Sequence, residues 1–198
     1  SNVSLTSEIG RLRRVLVHTP GPELLAVTPS NRREFLYDDI INLERAREEH
    51  RGFVAVLGRF AKVYELRHLL LDVLEQKTAR EFLLRRSEET TSDRRLSQHF
   101  EDSSSEELLH AYIQGFCAPP GPLAEILETK AYSLPPLPNL FFARDAAMAI
   151  GEGIIIGSMR FGSRWPEEVL LRTIVGFHEL FQGVPIYYDG SRERRRDF

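Results

Sequence analysis

The spacing of apolar residues along this chain changes from strand-like to helical and back, and those changes divide it. Arg14-Val15-Leu16-Val17-His18 alternates as a short strand, and Thr19-Pro20-Gly21-Pro22 stops it with residues that cannot continue a ladder. Thr28-Pro29-Ser30-Asn31 offers capping side chains, and Phe35-Leu36-Tyr37-Asp38-Asp39 reads as a loop or short helical turn. From Asn42, the positions Leu43, Ala46, Phe53, Val54 and Leu57 recur with helical period, and Glu44, Arg45, Arg47, Glu48 and Glu49 take the other face. That pattern predicts an amphipathic helix of about four turns. Ala61-Lys62-Val63-Tyr64-Glu65-Leu66 alternates again, and strand, helix, strand in this order points to an α/β unit with parallel pairing.

Beyond Leu66 the pattern becomes helical throughout, with a leucine-rich stretch reaching Leu84, a polar patch ending at Asp93, and helices over 104–114 and 122–130. Three serines before Glu106-Glu107-Leu108-Leu109 form a helix start, and Pro119-Pro120-Gly121-Pro122 is a break. After Leu134-Pro135-Pro136-Leu137-Pro138 strands return: Leu140-Phe141-Phe142-Ala143, then Ala147-Met148-Ala149-Ile150, a Gly151-Glu152-Gly153 hairpin turn, and Ile154-Ile155-Ile156-Gly157. An amphipathic helix over 165–181, opened by Pro166-Glu167-Glu168, leads to a strand at Val184-Pro185-Ile186-Tyr187-Tyr188. The order strand, strand, helix, strand is a ββαβ unit. The chain therefore reads as α/β in three parts: 7–66, a first α/β module; 67–133, a helical insertion; and 134–198, a ββαβ module.

Composition narrows the function classes. The 198 residues are 42% hydrophobic, enough for a substantial core, and a formal net charge of −3 gives no polyelectrolyte signature, so nucleic acid is not expected as a partner. The basic residues around Arg192 and Arg196 read as a solvated loop. A single cysteine excludes an internal disulfide, and no apolar run approaches the ~20 residues that span a bilayer, so a reducing, cytoplasmic setting is expected and no membrane. The histidines have no metal-ligand spacing and the glycines form no phosphate-binding fingerprint, so neither metal nor cofactor is called. Cys117 reads as a buried packing residue rather than a nucleophile.

The chemistry concentrates at Pro138-Asn139-Leu140-Phe141-Phe142-Ala143-Arg144-Asp145 and, further on, Met159 and Arg164. Taken as a buried strand, Leu-Phe-Phe-Ala would leave Arg144 and Asp145 where the chain exits the sheet. A carboxylate there can accept two parallel hydrogen bonds from a planar guanidinium.

These residues, together with the N-terminal stretch Ser7-Glu8-Ile9-Gly10 through His50, resemble the arginine deiminases, and the resemblance runs from about Ser7 to the last residue. It implies a pentein-type α/β propeller with pseudo-fivefold repetition. About two ββαβ-like blades are present here, and the helical insertion matches the extra bundle of the arginine deiminases. It implies that Asp145 binds the guanidinium of L-arginine and is catalytic, that Arg164 binds the substrate carboxylate, and that Asn139, Phe142 and Leu36 line the pocket. Leu36 and Asp39 lie in a gating loop that closes one side. Arg144 is expected to brace its segment through salt bridges.

The family reaction needs a cysteine that attacks the guanidinium carbon, expels ammonia and leaves a thiouronium adduct, which water hydrolyses to citrulline with help from a histidine. The Glu-Gly-Gly-Asp and His-x-Asp patterns that precede that cysteine do not occur in this sequence. The chain therefore reads as the N-terminal portion of an arginine deiminase-like protein, expected to be inactive alone. Two other readings stand beside it. One is a related amidinotransferase or guanidino hydrolase, for which Arg164 discriminates, since agmatine has no α-carboxylate to offer it. The other is a non-catalytic binding protein whose sheet edge at 184–188 is covered by a homodimer partner or another protein.

Overall fold

The computed structural model describes residues 3–91, 93–117 and 132–192. The helix expected over 122–130 and most of the terminal basic run lie outside them. Two small sheets are separated in sequence by a block of helices, a mixed α/β arrangement.

In the first sheet β1 (Arg14–Val17) pairs in parallel with β2 (Lys62–Glu65), Arg14 opposite Lys62 and Val17 opposite Glu65. Helix α1 (Leu43–Leu57) makes the crossover, as the period predicted, and starts where the Asn42 side chain accepts from the Arg45 amide. No residue of α1 is buried, however, and Phe53 and Val56 are more than half exposed. Only its first turns, through Leu43 and Ala46, touch a small core of Leu24, Val27, Phe35 and Tyr37. The stripe set the helix without setting what would cover it.

The main core lies under α2 (Leu66–Leu74), α3 (Lys77–Thr90), the short α4 (Leu96–His99) and α5 (Ser105–Gln114). Helix α5 begins in a reciprocal capping box between Ser104 and Glu107 and ends at Gly115, whose φ of 93° excludes most side chains. The Tyr112 hydroxyl, fully buried, is satisfied by Ser87 at 2.7 Å.

The second sheet has the order β3–β4–β5: β3 (Ala147–Ile150) runs antiparallel to β4 (Gly153–Ile156), and β4 runs parallel to β5 (Ile186–Asp189). Between β4 and β5 runs a long helix, Trp165–Phe177, so the predicted order strand, strand, helix, strand is present. That helix was expected to be amphipathic over 165–181. It is instead buried from Pro166 to Leu171 and again at Thr173, Ile174 and Val175, because α2 and α3 pack on it as well as β3 and β4. It stops at Phe177, and 179–181 form a separate turn.

The expected strand Leu140-Phe141-Phe142-Ala143 does not form. The amides of Leu140, Phe142 and Asp145 each bond to the carbonyl three residues back, on Leu137, Asn139 and Phe142, so these amides are committed locally and are not available to a ladder. The segment is a pair of turns running into one helical turn, α6 (Ala143–Ala146), and the long helix is accordingly α7. Among the described residues no helix is long and apolar enough to cross a membrane. Cys117, expected to be buried, is exposed just past the end of α5.

Candidate functional site

Asp145 sits on α6, directly before β3. Its placement depends on Gly157 at the end of β4, where a Cβ would come within 2.6 Å of the Asp145 carbonyl. The Gly157 amide bonds to the Ala146 carbonyl at 2.8 Å, so the end of β4 and the helical turn are closed on each other with no room for a side chain. Arg144, on the same turn, points elsewhere and pairs with Glu8 at 2.8 and 3.1 Å, an exposed brace as expected.

Arg164 stands at the entry to α7, and its side chain is only 11% exposed. Its guanidinium reaches Asp145 Oδ2 through Nη1 at 2.8 Å. Nε and Nη2 donate to the two oxygens of Glu167 at 2.9 and 2.8 Å, a bidentate pair one helical turn away. Burial alone would lower the Arg164 pKa, but Glu167 and then Asp145 outweigh it, and the net shift is upward, so the group is a permanent cation. Burial dominates at Glu167, whose side chain is 1% exposed, and raises its pKa above the usual carboxylate value although Arg164 opposes the shift.

The loop ahead of α1 is tied to this region by two buried bonds. The Tyr37 hydroxyl donates to the Pro138 carbonyl at 2.7 Å, and Asn139 Nδ2 donates to the Phe35 carbonyl at 2.8 Å. Leu36 lies between Phe35 and Tyr37 with φ of 64°, and the Tyr37 amide reaches back to the Arg32 carbonyl at 2.8 Å. This closure, like a helix C-terminal motif, holds a leucine in a left-handed conformation that costs about 1 kcal/mol or more. Ser163, next to Arg164, donates to the Glu34 carbonyl of the same loop. Burial pushes the Tyr37 hydroxyl pKa up, assisted by the negative charges of Glu167 and Glu23.

Behind the loop lies a second buried polar group. His18, just past β1, contacts Glu23 Oε1 at 2.9 Å and Glu65 Oε1 at 3.6 Å, and Glu65 also accepts from the amide and hydroxyl of Thr19. Burial would lower the His18 pKa, but Glu23 and Glu65 more than offset it, and the net shift is upward.

Of the residues singled out in the sequence, Asp145 and Arg164 are in direct contact and Phe142 adjoins them, its carbonyl taking the Asp145 amide. Phe142 is half exposed and its ring lies 4.2 Å from that of Phe141. Leu36 is partly exposed, whereas the Asn139 side chain is buried and committed to the loop backbone. Asp39 is exposed, and its carboxylate accepts from its neighbour Ile40. The face is open rather than enclosed. A concavity of about 770 Å³ lined by residues including Asp72, Arg172 and His178 contains none of these residues.

Sequence reasoning missed Glu167, Tyr37 and the His18 group. Glu167 was read as an ordinary first-turn acid; the signal available was its spacing of three residues from Arg164, which suits an ion pair on one helical face.

The profile of the family described as arginine deiminase matches residues 33–197. The chain is 32% identical over 201 residues to an arginine deiminase of Bacillus cytotoxicus, covering 93% of this chain and 49% of that protein. Against an arginine deiminase of Borrelia garinii subsp. bavariensis it is 30% identical over 206 residues, covering 96% and 50%. Against one of Lactococcus lactis it is 29% identical over 212 residues, covering 98% and 52%. The chain spans about half the length of the curated relatives it matches.

Proposed function

Since the chain belongs to the arginine deiminase family, we propose that it supplies the substrate-anchoring portion of an enzyme that hydrolyses L-arginine to L-citrulline and ammonia. The observation that supports this most is the direct contact of Asp145 with Arg164, which presents a carboxylate and a guanidinium together beside the exposed ring of Phe142. An amino acid with a guanidinium at one end and an α-carboxylate at the other has the complementary pair of charges. In this reading Asp145 holds the substrate guanidinium and Arg164 the carboxylate. Phe142 and Leu36 flank the aliphatic stem, Asn139 fixes the wall between loop and site, and Asp39 belongs to the loop that closes it.

The chemistry itself belongs to a cysteine thiolate that bonds to the guanidinium carbon while that carbon loses ammonia. Water then replaces sulfur, giving citrulline and the free thiol. Asp145 contributes by fixing the plane of the guanidinium and so the line of attack. This chain alone has no segment matching the cysteine, His-x-Asp or Glu-Gly-Gly-Asp patterns and by this reading does not turn over. The three parts read from the sequence would correspond to two propeller blades with a helical insertion between them.

The test is to read the coding sequence beyond Phe198, express the full product and measure citrulline and ammonia released from L-arginine. Activity abolished by Asp145→Asn is the expected result. A native stop codon at Phe198, or a full-length product without the cysteine and histidine, would overturn it.

A further inference from the structure

The charges around Asp145 do not balance. Glu167, Arg164 and Asp145 form a chain of carboxylate, guanidinium and carboxylate, which with both acids ionised carries one net negative charge. Glu167 has the stronger hold on the shared cation, since it is buried and bonds to two nitrogens. Asp145 takes only Nη1, through one oxygen, from a side chain that is 50% exposed. The unbalanced negative charge therefore falls on Asp145, toward solvent. Three of the five N–H groups of Arg164 are in use, and the weakest claim on them is that of Asp145.

The bond between Arg164 and Asp145 is itself a guanidinium–carboxylate pair, the same pair that a guanidino ligand would make with Asp145. We propose that the site takes its ligand by partner exchange: an incoming guanidinium replaces Nη1 of Arg164 on Asp145, and the N–H thus released receives the ligand's own carboxylate. Glu167 is the positioning residue of the exchange. Its two-point grip keeps Arg164 aimed when the third bond is given up, so Asp145, half exposed on a single helical turn, is the group that moves.

The consequence is a preference for ligands that carry both charges. A guanidinium without a carboxylate must break the Asp145–Arg164 bond and leaves Nη1 with nothing in return. A carboxylate without a guanidinium shares the charge of Arg164 with Asp145 and leaves Asp145 less compensated. A zwitterionic guanidino acid exchanges one internal pair for two external ones, so its two ends reinforce each other. This rests on the reading of Asp145 as the guanidinium anchor, and the experiment separates the two ideas.

Methylguanidinium chloride is titrated into the chain and followed by chemical-shift changes, once with sodium acetate present and once with sodium chloride at the same ionic strength. Exchange predicts that acetate tightens methylguanidinium binding by about fivefold or more, the lower end of usual coupling between sites. Asp145→Asn should abolish the binding. Glu167→Gln, its fold checked by circular dichroism, should bind methylguanidinium more weakly than the parent, because the group then carries no net negative charge, and should also lose most of the acetate enhancement, a readout that a purely structural role would not move. Equal dissociation constants in acetate and chloride would overturn the exchange and leave Asp145 as an anchor. Absence of saturable binding to the parent chain, or binding indifferent to Asp145→Asn, would overturn the exchange and the anchor together.

Discussion

Replacing Arg164 by Gln should damage this protein more than replacing both Arg164 and Glu167. The reason lies in what each substitution strands. With Arg164 gone, the Glu167 carboxylate, 1% exposed, loses both of its bonds to the guanidinium. Removing one partner of a buried pair in this way costs about 4 kcal/mol. Glu167→Gln leaves a milder defect, because Arg164 keeps its bond to Asp145 and the neutral amide tolerates burial; losing charge-assisted bonding costs about 2 kcal/mol. Independent effects would sum to about 6 kcal/mol, but the double substitution leaves no unpaired buried charge and should cost about 3, a coupling of about 3 kcal/mol. The lone tryptophan, Trp165, adjoins Arg164 and its indole bonds to the Met159 carbonyl, so urea unfolding followed by fluorescence reports on this corner. The pH dependence sharpens the test. Glu167 already has a raised pKa from burial, and Arg164 is what holds it down, so Arg164→Gln raises it further. A carboxyl whose folded pKa exceeds its unfolded value loses stability as pH rises between the two. The penalty of Arg164→Gln should therefore grow as pH rises above the ordinary glutamate value of about 4.5 and shrink as pH falls below it, where Glu167 becomes protonated in both states. Additive single effects together with a penalty independent of pH would refute the argument.

Two further outcomes follow from the buried bonds around the site. His18 has a raised pKa because Glu23 and Glu65 outweigh its burial, so it contributes most below its ordinary value of about 6.5 and loses that contribution as pH rises through the higher folded value. Urea midpoints should show His18→Gln most costly near about pH 6 and least costly near about pH 9, and a difference that stays constant or grows with pH would contradict this. Tyr37→Phe strands the Pro138 carbonyl and should cost about 1–2 kcal/mol, with faster amide exchange confined to 28–41 and 138–142; exchange spread evenly over the chain would show that the bond does not tie loop to site.

Much of the local structure was legible from residue order. The strands β1 to β5, the helix between β1 and β2 and the start of α5 at Ser104 follow from periods of two and 3.6 and from capping chemistry, which act over a few residues and depend little on the rest of the fold. Leu-Phe-Phe-Ala shows where that reasoning fails. A short apolar run fits a strand or a buried turn equally well, and the decision fell to carbonyls three residues back that took the amides first. The stripe on α1 was read correctly as helical, yet its partner surface is not a property of the stripe.

The sequence by itself determined which charged residues exist, which of them lie one helical turn apart, and, through the motif ending at Asp145, which family the chain resembles. It could not say that Glu167 is buried, that Arg164 joins it to Asp145 across two strands, or that Tyr37 and Asn139 lock a loop to a segment 101 to 104 positions away. Those facts arise only when α7 is enclosed by α2, α3 and the second sheet. Enclosure removes water from Glu167, and a carboxylate without water must find a cation within reach.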